Sequence, residues 1–81
     1  MTPAELTAAL DELGHRWGLG RALRPSELGR VVRLPGKDPG QSVRDYESGE
    51  TRIPGPFSVA VELLLAGGLP PDGLAVLRKA A

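Results

Sequence analysis

Apolar residues along this 81-residue chain recur three and four positions apart, in short runs broken by glycine and proline. Leu6, Ala9, Leu10 and Leu13 form the first such stripe, which predicts a helix buried along one side. Thr2, Pro3 and Glu5 stand where its start needs them: a hydroxyl cap, a proline in first position and a glutamate completing a capping box. Gly14 is a candidate stop, but Trp17, a core or rim residue, continues the stripe, so a helix running on to Trp17 is the alternative. Gly18-Leu19-Gly20 predicts a turn. A second helix follows from Arg24, with Pro25 first, Glu27 third, and Leu23 and Leu28 spaced as a hydrophobic staple. Leu28, Val31 and Val32 make its inner face, and Leu34-Pro35-Gly36 ends it.

Asp38-Pro39 predicts the start of a third helix, with Gly49 as its left-handed stop after about Ser48. Val43 and Tyr46 face inward from it. Pro54-Gly55-Pro56 separates a fourth segment, Phe57 to Ala66, apolar nearly all round apart from Ser58 and Glu62. A glycine- and proline-rich break follows, and Asp72 caps a last short helix carrying Leu74, Val76 and Leu77. No run alternates with a period of two, so no strand is expected. The expected fold class is all-α: one compact domain over residues 1–81, built from four or five short helices.

Composition narrows the function. There is no cysteine and only one histidine, His15, so neither a disulfide nor a thiolate or histidine metal site is expected. No cluster of histidines or convergent acids suggests catalysis, so the expectation is a non-enzyme without cofactor, metal or catalytic residues. His15 is assigned no role. No apolar run is long enough to span a bilayer, and the acid-bearing start Met1-Thr2-Pro3-Ala4-Glu5 lacks the basic region of a signal peptide. A soluble cytoplasmic protein is the expectation.

Ten basic and ten acidic residues cancel, but they are unevenly placed. Residues 1–14 hold three acids and no base, whereas residues 15–52 hold eight bases and five acids. A phosphate backbone responds to local charge within a Debye length, so the basic middle permits a nucleic-acid partner.

That middle contains KDPGQSVRDYESGE, residues 37–50. With Val43 and Tyr46 turned inward, Gln41, Ser42, Arg44 and Asp45 point outward near the start of the third helix. Gly40 would let the backbone approach a surface closely. A helix start offers unpaired N–H groups and a positive dipole end to phosphate. Arg44 suits guanine O6 and N7, Gln41 suits adenine, and Asp45 can accept from cytosine N4. Held against the stapled second helix, this is the helix-turn-helix arrangement.

The stretch RPSELGRVVRLPGKDPGQSVRDYESGETRIPGP resembles the Cro and phage-repressor (XRE-type) helix-turn-helix family. Glu27-Leu28-Gly29 stands for the family's "E-L-A" and Ser42–Gly49 for its recognition-helix motif. The resemblance implies a lambda-repressor-like fold, base-reading positions at Gln41 and Asp45, a phosphate contact at Arg24, and a contact to the backbone or the minor groove at Arg52. Lys37, Gly40, Ser42 and Arg44 complete the expected DNA surface. Small phage autorepressors, including regulators associated with anti-CRISPR genes, are similar in size and pattern. Four features depart from the family. Pro25 replaces a glutamine, the turn LPGKDPG is long, Gly14 to Ala22 exceeds the usual spacing, and Leu10 stands where some members carry an arginine that pairs with the residue equivalent to Glu47. Arg16, Arg30 or Arg33 is then expected to partner Glu47.

On the fourth segment, Phe57, Ala60, Val61 and Leu64 make one stripe, leaving Val59, Leu63 and Leu65 off it. With Leu74 and Leu77 these predict a homodimer interface within residues 57–81. The resulting expectation is a dimeric repressor that binds a palindromic operator in double-stranded DNA and occludes a promoter, with no small-molecule effector. The alternative is a protein-interaction module, antitoxin-like or inhibitory, that uses the same fold to cap a protein partner.

Overall fold

The computed structural model describes residues 1–70 together with Gly73 and Leu77. The described residues form a compact all-helical domain of four helices in chain order: α1 (Pro3–Arg16), α2 (Pro25–Val31), α3 (Pro39–Ser48) and α4 (Gly55–Leu65). No strand occurs among the described residues. The helix expected from Asp72, with Leu74 and Val76, lies outside them. Helices α2 and α3 form the most closely packed pair, and α1 lies against both α3 and α4. Leu6, Leu13, Leu23, Leu28, Val43 and Val61 are fully buried where these elements meet. Tyr46 and Phe57 join α3 to α4 with tilted rings 4.9 Å apart, a favourable aromatic geometry.

Local chemistry sets the helix starts. Thr2 Oγ1 accepts from Glu5 N at 3.1 Å and Glu5 Oε1 accepts from Thr2 N at 2.7 Å, closing the expected capping box. Helix α1 runs through Gly14 to Arg16 with Trp17 as its C-cap, the longer of the two expected extents. The loop back to α2 crosses that glycine so closely that an added Cβ would lie 1.9 Å from Arg21 O, while Leu23 N donates to Leu10 O at 2.8 Å. Gly14 is thus a site of close approach. The helix stops one turn later, where Gly18 adopts φ 81° and Leu19 N donates back to Gly14 O at 2.9 Å, a Schellman closure. The same closure ends α2, with Arg33 in the left-handed position at φ 59° and Leu34 N donating to Gly29 O at 2.9 Å. Helix α4 begins earlier than expected, taking Gly55 and Pro56 into its first turn. A proline costs nothing there, because the first N–H groups have no partner within the helix.

Glu27 is the buried charged residue at the start of α2. Arg21 reaches it with both terminal nitrogens, Nη1 to Oε1 at 2.8 Å and Nη2 to Oε2 at 3.0 Å. Arg24 N also donates to Oε1 at 2.8 Å. One carboxylate therefore ties the α1–α2 loop to the first turn of α2. The Arg21 hydrogen bonds hold the Glu27 carboxyl below its ordinary value of 4.5; burial opposes them and the Arg24 N–H reinforces them. A pKa depressed on folding contributes stability that is complete above the unfolded value and is lost as pH falls through the folded one. Glu27→Gln is accordingly expected to lower Tm by roughly 5–10 °C at pH 7. The gap to the parent protein should close as pH drops below about 4.5. Thermal melts of both proteins between pH 7 and pH 3 check this, and a gap independent of pH would assign Glu27 a purely steric role.

Candidate functional site

The outer face of α3 carries the candidate site. Asp38 caps the helix, its Oδ1 accepting from Gly40 N at 3.1 Å. Helix α3 ends at Gly49, which has φ 84°. Val43 and Tyr46 are buried as expected, which turns Gln41 and Arg44 fully outward and leaves Ser42 and Asp45 half-buried on its flanks. Lys37 is exposed in the turn before the cap, Arg24 is exposed at the N-cap of α2, and Arg52 is exposed in the loop between α3 and α4.

Two glycines set how close α3 sits to α2. A Cβ on Gly29 would lie 2.4 Å from Pro39 O, and one on Gly40 would lie 2.7 Å from Ser26 N. Gly40 is therefore buried between the two helices and does not present its backbone outward. The expectation that it meets DNA is overturned, because the surface its missing side chain admits is the first turn of α2.

The three expected base readers share one hydrogen-bonded chain. Arg44 Nη2 donates to Asp38 Oδ2 at 2.6 Å and lies 3.4 Å from Gln41 Oε1. Gln41 Nε2 in turn donates to Asp45 Oδ1 at 2.9 Å. These groups are solvent-exposed, so such pairs cost little to exchange for another partner. Arg44 and Gln41 can thus turn to a ligand without breaking the fold. The part played by Asp38 is missed by sequence reasoning, which treats it as a cap alone.

Glu47 is partnered by Thr7, whose Oγ1 donates to Oε2 at 2.9 Å. The expected arginine partner is corrected accordingly: α1 packs on α3 and brings its own hydroxyl to that carboxylate. Arg16 instead pairs with Glu12 and donates to the carbonyl of Leu65.

The apolar surface is partly redistributed. Val59 and Leu63 are 54% and 63% exposed, as their place off the α4 stripe requires. Leu65 is half-buried against the core, and Leu77 is buried within it. Leu77 is withdrawn from the expected interface, because the chain's own core covers it, whereas Leu65 keeps part of its surface exposed. Leu74 lies outside the described residues. Leu69, 61% exposed, is an apolar residue that sequence reasoning did not place there. Leu63 and Leu69 flank a cleft of about 240 Å³ floored by Val31, Val32 and Ala60.

Among the described residues no helix is long and apolar enough to cross a membrane, and no cluster of histidines and acids could hold a metal ion. Comparison with protein-family models, with curated proteins and with solved structures finds no match.

Proposed function

We propose that this chain is a sequence-specific regulator that binds double-stranded DNA as a homodimer, with α3 lying in the major groove. The observation that carries the reading is the close α2–α3 pair. Gly29 and Gly40 seat the inner side of α3 tightly on α2, and its other side carries Gln41, Arg44 and Asp45, while the cations Arg24, Lys37 and Arg52 are exposed at the start of α2, before α3 and after α3. Outward hydrogen-bonding side chains suit base edges, and exposed cations suit phosphates. The resemblance to phage repressors points the same way. Two such helices, one per protomer, would read half-sites about one helical turn apart, and a dimer lying across a promoter would repress by occlusion. Selection of bound sequences from a random duplex library tests the reading; recovery of no enriched palindrome would sink it.

The phosphate contacts have their own signature. Arg24→Ala and Arg52→Ala should each weaken binding to every duplex alike and flatten the dependence of log K on log salt by about one unit. Titrations from low to physiological salt measure this, and an unaltered slope in both variants would place neither residue at the backbone. A second reading, a module that caps a protein partner, is favoured by the cleft beside Leu63 and Leu69. Binding to that partner would lack the steep salt slope of phosphate neutralisation.

A further inference from the structure

We propose that Asp38 is a positioning residue for base readout, capping α3 with one carboxylate oxygen and clamping the Arg44 guanidinium with the other. The inference rests on the DNA-binding reading above and names the device that would make it selective. The two oxygens divide the work: Oδ1 accepts from Gly40 N at 3.1 Å, and Oδ2 accepts from Arg44 Nη2 at 2.6 Å. Asp38 and Arg44 stand six positions apart, yet they meet because helical side chains lean toward the N-terminus and the long arginine reaches back over the first turn to the cap. Gly40 makes the seat. A Cβ there would lie 3.1 Å from Arg44 Nη1, so glycine leaves the guanidinium room against the helix start.

Arginine carries five N–H donors in a planar fork. The hydrogen bonds of Arg44 among the described residues use Nη2 alone, which leaves the donors of Nε and Nη1 uncommitted, with Nη1 lying against Gly40. Guanine offers O6 and N7 to such a fork in the major groove. The exposed ion pair is weak, so it biases the guanidinium toward one orientation without locking it, and a biased fork loses less freedom on pairing than one free to swing. The carboxylate has a second effect through its charge. It repels phosphate and competes for the guanidinium, which disfavours the unselective use of Arg44 as a backbone contact. Asp38 thus lowers binding to arbitrary duplexes while favouring the guanine-bearing one.

Asparagine and serine both cap helices well, but neither supplies a second anionic oxygen to Arg44. The test uses the full chain and the duplex selected by the parent protein, varied to all four base pairs at the position where Arg44→Ala loses preference. Asp38→Asn and Asp38→Ser are expected to keep the parent Tm within a few degrees. Preference at that base pair should fall about tenfold, while a scrambled duplex binds as well as before or better. In an Arg44→Ala background, Asp38→Asn should leave preference at that position unchanged. Retention of full preference in both Asp38 variants, with the parent still selective, overturns the clamp and leaves the DNA-binding reading standing. A loss of preference spread evenly over all positions overturns it too, since that is what a purely structural cap would give. A parent protein that selects no duplex overturns the clamp and the reading together.

Discussion

Gly14→Ala is expected to remove about 3 kcal/mol or more of folding stability, at the upper end of what overpacking costs. The reason is that the obstacle is backbone. An added Cβ would lie 1.9 Å from Arg21 O and 2.5 Å from Leu23 N, and no rotamer change can move either atom aside. Both belong to the loop that hands the chain to α2, where Leu23 is buried and Arg21 holds Glu27. Pushing that loop outward therefore loosens the staple, the ion pair and the seat of α2 together. For a domain of this size total stability is about 4–12 kcal/mol, so the variant would lose a large share of it. Gly29→Ala should behave similarly, because its Cβ would lie 2.4 Å from Pro39 O at the α2–α3 contact. Gly55→Ala is the internal control. Nothing but its chain neighbours lies within 4 Å of its Cβ position and it sits in the first turn of α4; a side chain before Pro56 offsets the gain in helix propensity, so alanine should change stability by no more than about 1 kcal/mol in either direction. Urea titrations of the three variants check the order. A Gly14→Ala protein within 1 kcal/mol of the parent would mean that the loop yields freely.

The contrast among these glycines shows what could be read from the chain and what could not. Signals acting over three or four residues were legible: the Thr2–Glu5 box, the Arg24–Glu27 start with its leucine staple, and Asp38 before Pro39 all stand at observed helix starts. The inward stripe of α4 was legible for the same reason, since helical spacing alone places Phe57, Val61 and Leu64 on one side. Glycine is ambiguous because it serves both turns and close approaches. Gly49 is a turn residue at φ 84°, whereas Gly14 and Gly40 are contact residues whose closest neighbours, Arg21 and Ser26, belong to other parts of the chain. Glu47 illustrates the same limit, its partner Thr7 being brought by the packing of α1 on α3. Within the candidate site, helical spacing places Gln41, Arg44 and Asp45 together. It misses Asp38, which Arg44 meets by reaching back over the first turn to the cap.

Leu63→Glu should convert the proposed dimer into a folded monomer and weaken binding to a palindromic operator on the order of 10²-fold or more. Leu63 is 63% exposed in the single chain and Val59, one turn earlier on the same helix face, is 54% exposed. Neither is needed by the core, which takes Phe57, Val61 and Leu64 from α4. A glutamate at this position therefore meets water in the monomer and should leave Tm nearly unchanged, as surface substitutions usually do. In a dimer the same position would be covered. Burying a leucine contributes roughly 1.5–3 kcal/mol, and an unpaired carboxylate in its place would oppose association. Leu69, exposed on the other side of the same cleft, makes the patch continuous across α4 and the following loop. Loss of pairing would cost the second half-site, so each protomer would bind as a separate event instead of sharing an effective concentration. Binding to a single half-site should then match that of the parent protein diluted to monomer. Sedimentation of parent and variant, followed by titration on full and half operators, separates these effects. A parent protein that is monomeric at tens of micromolar would remove the dimer from the proposal, and Leu63 would then belong to a surface for a different protein.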